Sequence, residues 1–130
     1  MTFYIKRYFG ALLISTFLII LSFSDRVMAA EFFETLYDVP VLLDLEEVSE
    51  EALVFDKPSG RIAYAVAVSF SNRGDILTAY QAALNQMGWK KKSVTQYIRE
   101  GEVLTISVIK SDTSDNGGVS VDFSLKPVEE

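Results

Sequence analysis

Apolar residues divide the chain into four kinds of pattern: one continuous run, one mixed stretch, several alternating stretches and one stripe of helical period. The run from Tyr8 to Phe23 has no period. Residues 31 to 51 mix aromatic and aliphatic side chains with eight acids and show poor periodicity, and Pro40 discourages helix around it. Ala52 to Phe55 reads as a short strand, and Asp56-Lys57-Pro58-Ser59-Gly60 reads as a tight connection, with Pro58 presetting φ and Gly60 free to take a positive one. From Arg61 to Phe70 the alternation is clean. Ile62, Tyr64, Val66, Val68 and Phe70 share one face, and Arg61, Ala63, Ala65, Ala67 and Ser69 share the other. The large side chains are expected to face a covering layer, leaving the alanines as a floor for the N-terminal arm or a second subunit.

Beyond the loop Ser71 to Gly74, Asp75 is placed to cap a helix over Asp75 to Met87, whose stripe runs through Ile76, Tyr80, Ala83, Leu84 and Met87. Gly88 stops the helix, Trp89 folds back on it, and Lys90, Lys91 and Lys92 sit at the negative end of its dipole. Ser93 to Arg99, Glu102 to Lys110 and Val119 to Lys126 complete the strands. In the second of these Leu104, Ile106 and Val108 face the core, while Val103 and Ile109 lie opposite. The order β-β-α-β-β-β predicts an α+β fold: a single antiparallel sheet of about four to five strands with one long helix across one face. Divided by pattern, the chain gives a leader at 1–29, an acidic and apolar arm at 30–51, a domain at 52–127 and an acidic tail at 128–130.

The leader changes the reading of charge. Lys6 and Arg7 precede the apolar run, and a polar Ser24-Asp25-Arg26 leads into Val27-Met28-Ala29-Ala30, the plan of a secretory signal cut after Ala29 or Ala30. Retention as an anchor is the alternative, but sixteen helical residues span about 24 Å against a hydrocarbon core of roughly 30 Å. The whole chain carries a formal charge of -6; without the leader, 9 basic and 17 acidic side chains remain, a net -8. Such a field repels phosphate backbones and anionic headgroups, so neither nucleic acid nor peripheral membrane binding is predicted for the exported domain, and cleavage of the leader leaves no stable membrane span.

Chemistry narrows further because the chain has no cysteine and no histidine. Disulfides, thiolate nucleophiles, cysteine-ligated metals and the side chain best suited to proton transfer near neutrality are all absent. The loop from Ser111 to Gly118 resembles a calcium loop when Asp112 is taken as its first position, but the twelfth position is then Phe123 instead of glutamate. It reads as a hairpin loop. Glu46 with Glu50 and Glu47 with Glu51 would share a helix face at i,i+4, with nothing to perturb them or supply a chemical partner. The serines lack a base. No catalytic residue, cofactor or metal is predicted, and the protein is not expected to be an enzyme.

Binding is the remaining class. Phe32, Phe33, Tyr37, Leu42 and Leu43 of the arm, Ala63, Ala65 and Ala67 of the small-residue face, and the basic Lys90, Lys91 and Lys92 are the candidate contacts for an envelope protein partner. Arg61, Tyr64, Trp89 and Tyr97 are the residues to watch for a ligand pocket.

Three segments carry a resemblance: Phe55-Asp56-Lys57-Pro58-Ser59-Gly60-Arg61-Ile62, the helix and cap from Ala79 to Trp89, and Arg99-Glu100-Gly101-Glu102-Val103-Leu104. Together with the leader, they resemble small exported proteins of Gram-negative bacteria, mostly alphaproteobacterial, over about residues 40 to 127. That resemblance implies a periplasmic location and a small α+β domain, and transfers no activity or catalytic residue. The expected function is a periplasmic, non-enzymatic interaction or adaptor module. The competing reading is a small-molecule or lipid carrier, marked by an enclosed apolar cavity between helix and sheet. A third is an accessory subunit of an envelope enzyme.

Overall fold

A computed structural model describes residues 29–110 and 117–129. The leader up to residue 28, most of the loop read as calcium-like and the last residue of the acidic tail lie outside them. Among the described residues the order is β1 (Glu46–Glu47), a 3-10 turn (Ser49–Glu51), β2 (Leu53–Lys57), β3 (Gly60–Ser69), α1 (Arg73–Gln86), β4 (Lys90–Lys91), β5 (Gln96–Arg99), β6 (Glu102–Lys110) and β7 (Val119–Pro127). All strands join one antiparallel sheet in the order β1-β3-β7-β6-β5-β4, and β2 also pairs with β3. The fold is α+β as predicted, but with seven strands instead of four to five. The additional β1 and β4 are two residues each, too short for alternation to reveal.

Glu46 pairs with Val68 and Leu53 with Tyr64, so β1 and β2 lie along the same side of β3. They form one edge strand interrupted by the 3-10 turn. Glu46 and Glu47 are therefore strand residues, and neither acidic pair shares a helix face as expected. At the β2–β3 hairpin Lys57 pairs directly with Gly60 across Pro58-Ser59. Gly60 takes φ 134°, and a Cβ there would meet Cγ of Pro127 at 2.9 Å, so the turn needs glycine for backbone conformation and for space.

The inner face of the sheet is built from Ala63, Ala65 and Ala67 of β3, Val121, Phe123 and Leu125 of β7, Leu104, Ile106 and Val108 of β6, and Tyr97 of β5. Ile76, Leu77, Tyr80 and Leu84 of α1 join that core, as do Trp89 and the arm residues Phe33, Leu36, Val39 and Leu45. The sidedness expected for β3 is thus reversed: the alanines are fully buried, while Val68 and Phe70 are exposed. The reason is volume. Phe33 and Phe123 bring their ring centroids to 4.7 Å, Tyr80 and Phe123 to 5.1 Å, and a strand beside them that presents only methyl groups lets this second layer sit close.

The helix begins earlier than expected. Asn72 is the N-cap: its Oδ1 accepts from the Asp75 N–H at 2.9 Å, and its Nδ2 donates to the Asp75 carboxylate at 2.5 Å. Asp75 is thus the residue that is capped, through its N–H, and its carboxylate in turn holds the Asn72 side-chain amide. At the other end Trp89 N–H reaches the Leu84 carbonyl at 3.0 Å and Gly88 N–H reaches that of Asn85 at 3.3 Å, with Gly88 at φ 86°. This is the Schellman pairing, and it delivers Trp89 into the core as expected. The lysines that follow the helix also take part in the sheet. Lys90 and Lys91 form the far edge strand, paired with Ile98 and Tyr97.

A candidate interaction surface

The arm is fastened at both ends. At one, Asp38 accepts from Arg99 Nη2 at 2.5 Å and from Arg61 Nη2 at 3.4 Å. The two guanidiniums stack on aromatic rings, Arg61 over Tyr37 and Arg99 over Trp89, each 4.4 Å from the ring centroid. Arg99 Nη1 also donates to the Met87 carbonyl at 3.0 Å, tying the helix end to the same charge cluster. At the other end Asp44 accepts from the Ser69 hydroxyl at 2.5 Å, the Ser71 hydroxyl at 2.7 Å and the Phe70 N–H at 2.8 Å. Those bonds, Ser69 foremost, hold its carboxyl far below the usual carboxylate range. Between them Tyr80 donates from its hydroxyl to the Pro40 carbonyl at 2.7 Å, and burial pushes the phenol up.

This fastening decides which candidate contacts are free. Phe33 and the three alanines are buried, occupied by each other's layers, and Leu42 is half-buried. Phe32, Tyr37 and Leu43 remain exposed on the arm, with Leu43 held at a positive φ of 57°. Lys90, Lys91 and Lys92 are exposed, and Lys91 donates to Gln81 Oε1 at 2.7 Å. Nor do the four residues watched for a pocket converge. Trp89 and Tyr97 are core, Arg61 belongs to the charge cluster, and Tyr64 lies on the opposite face of the sheet.

That opposite face is the surface sequence reasoning missed. The helix and arm cover only the inner side. Outward, β2 presents Leu53 and Phe55, and β3 presents Ile62, Tyr64, Val66 and Val68. Leu53 and Phe55 are each 52% exposed and Val68 44%, while Ile62, Tyr64 and Val66 are half-buried. Together they show apolar area on the order of 300 to 400 Å², a patch size that on a monomer is often functional. Beside it β7 sets a polar band of Ser120, Asp122, Ser124 and Lys126, with Lys126 Nζ 5.7 Å from the Tyr64 ring centroid. A groove of about 460 Å³ crosses the patch, floored by Leu53, Tyr64 and Val66 and flanked by Glu51 on one side and Asp122 on the other. An apolar floor between carboxylates suits a side chain with an aliphatic stem and a cationic tip.

A larger depression of about 650 Å³ lies at the end of α1, lined by Met87, Gly88, Lys90, Ile98, Arg99 and Glu100. Its one guanidinium, Arg99, is already engaged by Asp38, Met87 and Trp89.

No family model, curated protein or solved structure matches the chain. Among those described no group of three acidic side chains is gathered as metal ligands would be, and no helix is long and apolar enough to cross a membrane.

Proposed function

We propose that the protein is an exported, non-enzymatic interaction module of the periplasm, and that it binds a protein partner through the outer sheet face. The observation that carries this reading is the uncovered stripe from Leu53 and Phe55 across Tyr64 and Val66 to Val68, set between carboxylates. An apolar centre with a charged rim is the anatomy of a protein contact. The net -8 of the chain without its leader favours a partner whose contact surface is apolar with a basic rim. Export is supported by the basic-then-apolar pattern of the leader. The absence of histidine and cysteine supports a binding role over a catalytic one. The carrier reading is less well supported, because Phe33, Tyr80 and Phe123 fill the helix–sheet interface where a ligand cavity would have to lie.

The test is a photo-crosslinking amino acid placed at Val66 in the cell envelope, with Thr78 on the exposed side of α1 as comparison. One stoichiometric protein adduct is expected at position 66, absent at position 78 and abolished by Leu53→Asp. Equal labelling at both positions, or a co-purifying apolar small molecule in place of a protein, would overturn the reading.

A further inference from the structure

The edges of the sheet are built differently. The far edge, β4, is two residues long and both are lysine; β1 is two residues long and both are glutamate. Short, charged edges are how sheets avoid pairing with other chains. The remaining edge, β2, has five residues, all exposed, beginning Leu53-Val54-Phe55, and among the described residues only β3 pairs with it.

Its backbone is directed for pairing. The Val66 carbonyl accepts from the Val48 N–H at 2.8 Å, so Val66 bonds toward the β1–β2 side of β3. Backbone direction alternates along an antiparallel strand, so Tyr64 and Ile62 also face that side, and their partners Leu53 and Phe55 spend their N–H and C=O groups on β3. Those of Val54 and Asp56 then point to the open edge. Ala52, at φ -81° and ψ 130°, extends the strand by one residue before the 3-10 turn; its N–H is donated to the Ser49 carbonyl at 3.3 Å, so it adds only its own carbonyl to the open edge.

We propose that β2 pairs antiparallel with β2 of a second copy about a two-fold axis through Val54, making one sheet continuous across a homodimer. The register follows from self-complementarity. A two-fold axis perpendicular to the sheet must pass through a residue pair, and each choice sets different neighbours opposite one another. An axis at Phe55 places Val54 opposite the copy's Asp56 and Leu53 opposite its Lys57. An axis at Asp56 opposes two carboxylates. Centred on Val54, the pairing sets Val54 against Val54, Leu53 against Phe55 twice on the outer face, and Lys57 alongside Glu51 twice. Only this register matches apolar to apolar and cation to anion. It also joins the two outer stripes into one surface, although the dimer does not depend on the partner proposed above. Five residues a side is less than a standard interface, and both copies are acidic, so the dimer is expected to be a weak, concentration-dependent one.

The experiment is sedimentation of the purified protein without its leader, from micromolar to millimolar concentration, beside a disulfide trap. The chain has no cysteine, so Val54→Cys supplies a single thiol. The hydrogen-bonded pair proposed at the axis places its Cα atoms about 5.5 Å apart, within disulfide reach. Oxidation of Val54→Cys is expected to give a covalent dimer, whereas Val68→Cys, exposed but away from the axis, stays monomeric. In sedimentation Val54→Lys should raise the dissociation constant at least about tenfold. Lys57→Glu should weaken the dimer, and adding Glu51→Lys should restore it. A monomer at millimolar concentration, a dimer indifferent to Val54→Lys, or no rescue by the charge exchange would each overturn the proposal.

Discussion

Ala65 lies at the centre of β3, paired with Phe123 and fully buried under the layer that holds Phe33. Replacing it by Leu adds three carbon atoms where the arm sits close. The strand cannot recede, because β7 holds it on one side and β2 with β1 on the other, so the arm must lift or the rings must leave their rotamers. Overpacking of this kind costs about 2 kcal/mol, which for a domain of this size lowers Tm by roughly 8 to 16 °C. Val66→Phe, one residue along and facing outward, adds four carbon atoms at a half-exposed position and should shift Tm by no more than about 2 °C. Thermal unfolding followed by circular dichroism compares the two directly. If Ala65→Leu melted with the wild type, the alanine face would be open and the arm undocked. If Val66→Phe were the more damaging, the large residues would be the core after all.

Two further expectations concern the ends of the arm. Asp38→Ala leaves the guanidiniums of Arg61 and Arg99 without their shared carboxylate in a mostly buried position, and should cost about 2 to 3 kcal/mol, read from the denaturant midpoint; a loss below about 0.5 kcal/mol would mean the cluster is solvated. Asp44 behaves as a group whose folded pKa is depressed: its contribution is complete above the unfolded value of 3.8 and is lost as pH falls through the lower, folded value. Asp44→Asn should therefore be less stable than wild type near neutrality, with the difference closing under acid, and a gap that stayed constant from pH 7 to pH 2 would refute the assignment.

Several elements were legible because local chemistry alone determines them. The span of β6, Glu102 to Lys110, is as the alternation predicts, with Leu104, Ile106 and Val108 inward, and the glycine-terminated helix with Trp89 behind it follows from its stripe and cap. The Asn72 cap is less legible, because Asp75 three residues on offers an equally good capping carboxylate. The sidedness of β3 was not legible. Alternation reports a period of two, and both faces of this strand are apolar, so the pattern does not say which one is covered. That depends on an arm without regular period, whose Phe33, Leu36 and Val39 need a flat floor. The same ambiguity conceals the candidate surface, whose large apolar residues read from the sequence as the buried side.

Within the sheet β7 lies between β3 and β6, so without it the β1–β3 and β4–β6 segments share no strand pairing. The strand that unites them is the final one among the described residues, and the arm must meet Arg99 across 61 residues and Tyr80 across 40. Closures over such distances cost loop entropy before any contact repays it, which puts folding toward the slow, millisecond-to-second range. Assembly therefore waits for residues 119 to 127. In a chain threaded N-terminus first through a membrane, as the proposed export would have it, the sheet would stay incomplete until residues 119 to 127 had followed the rest across.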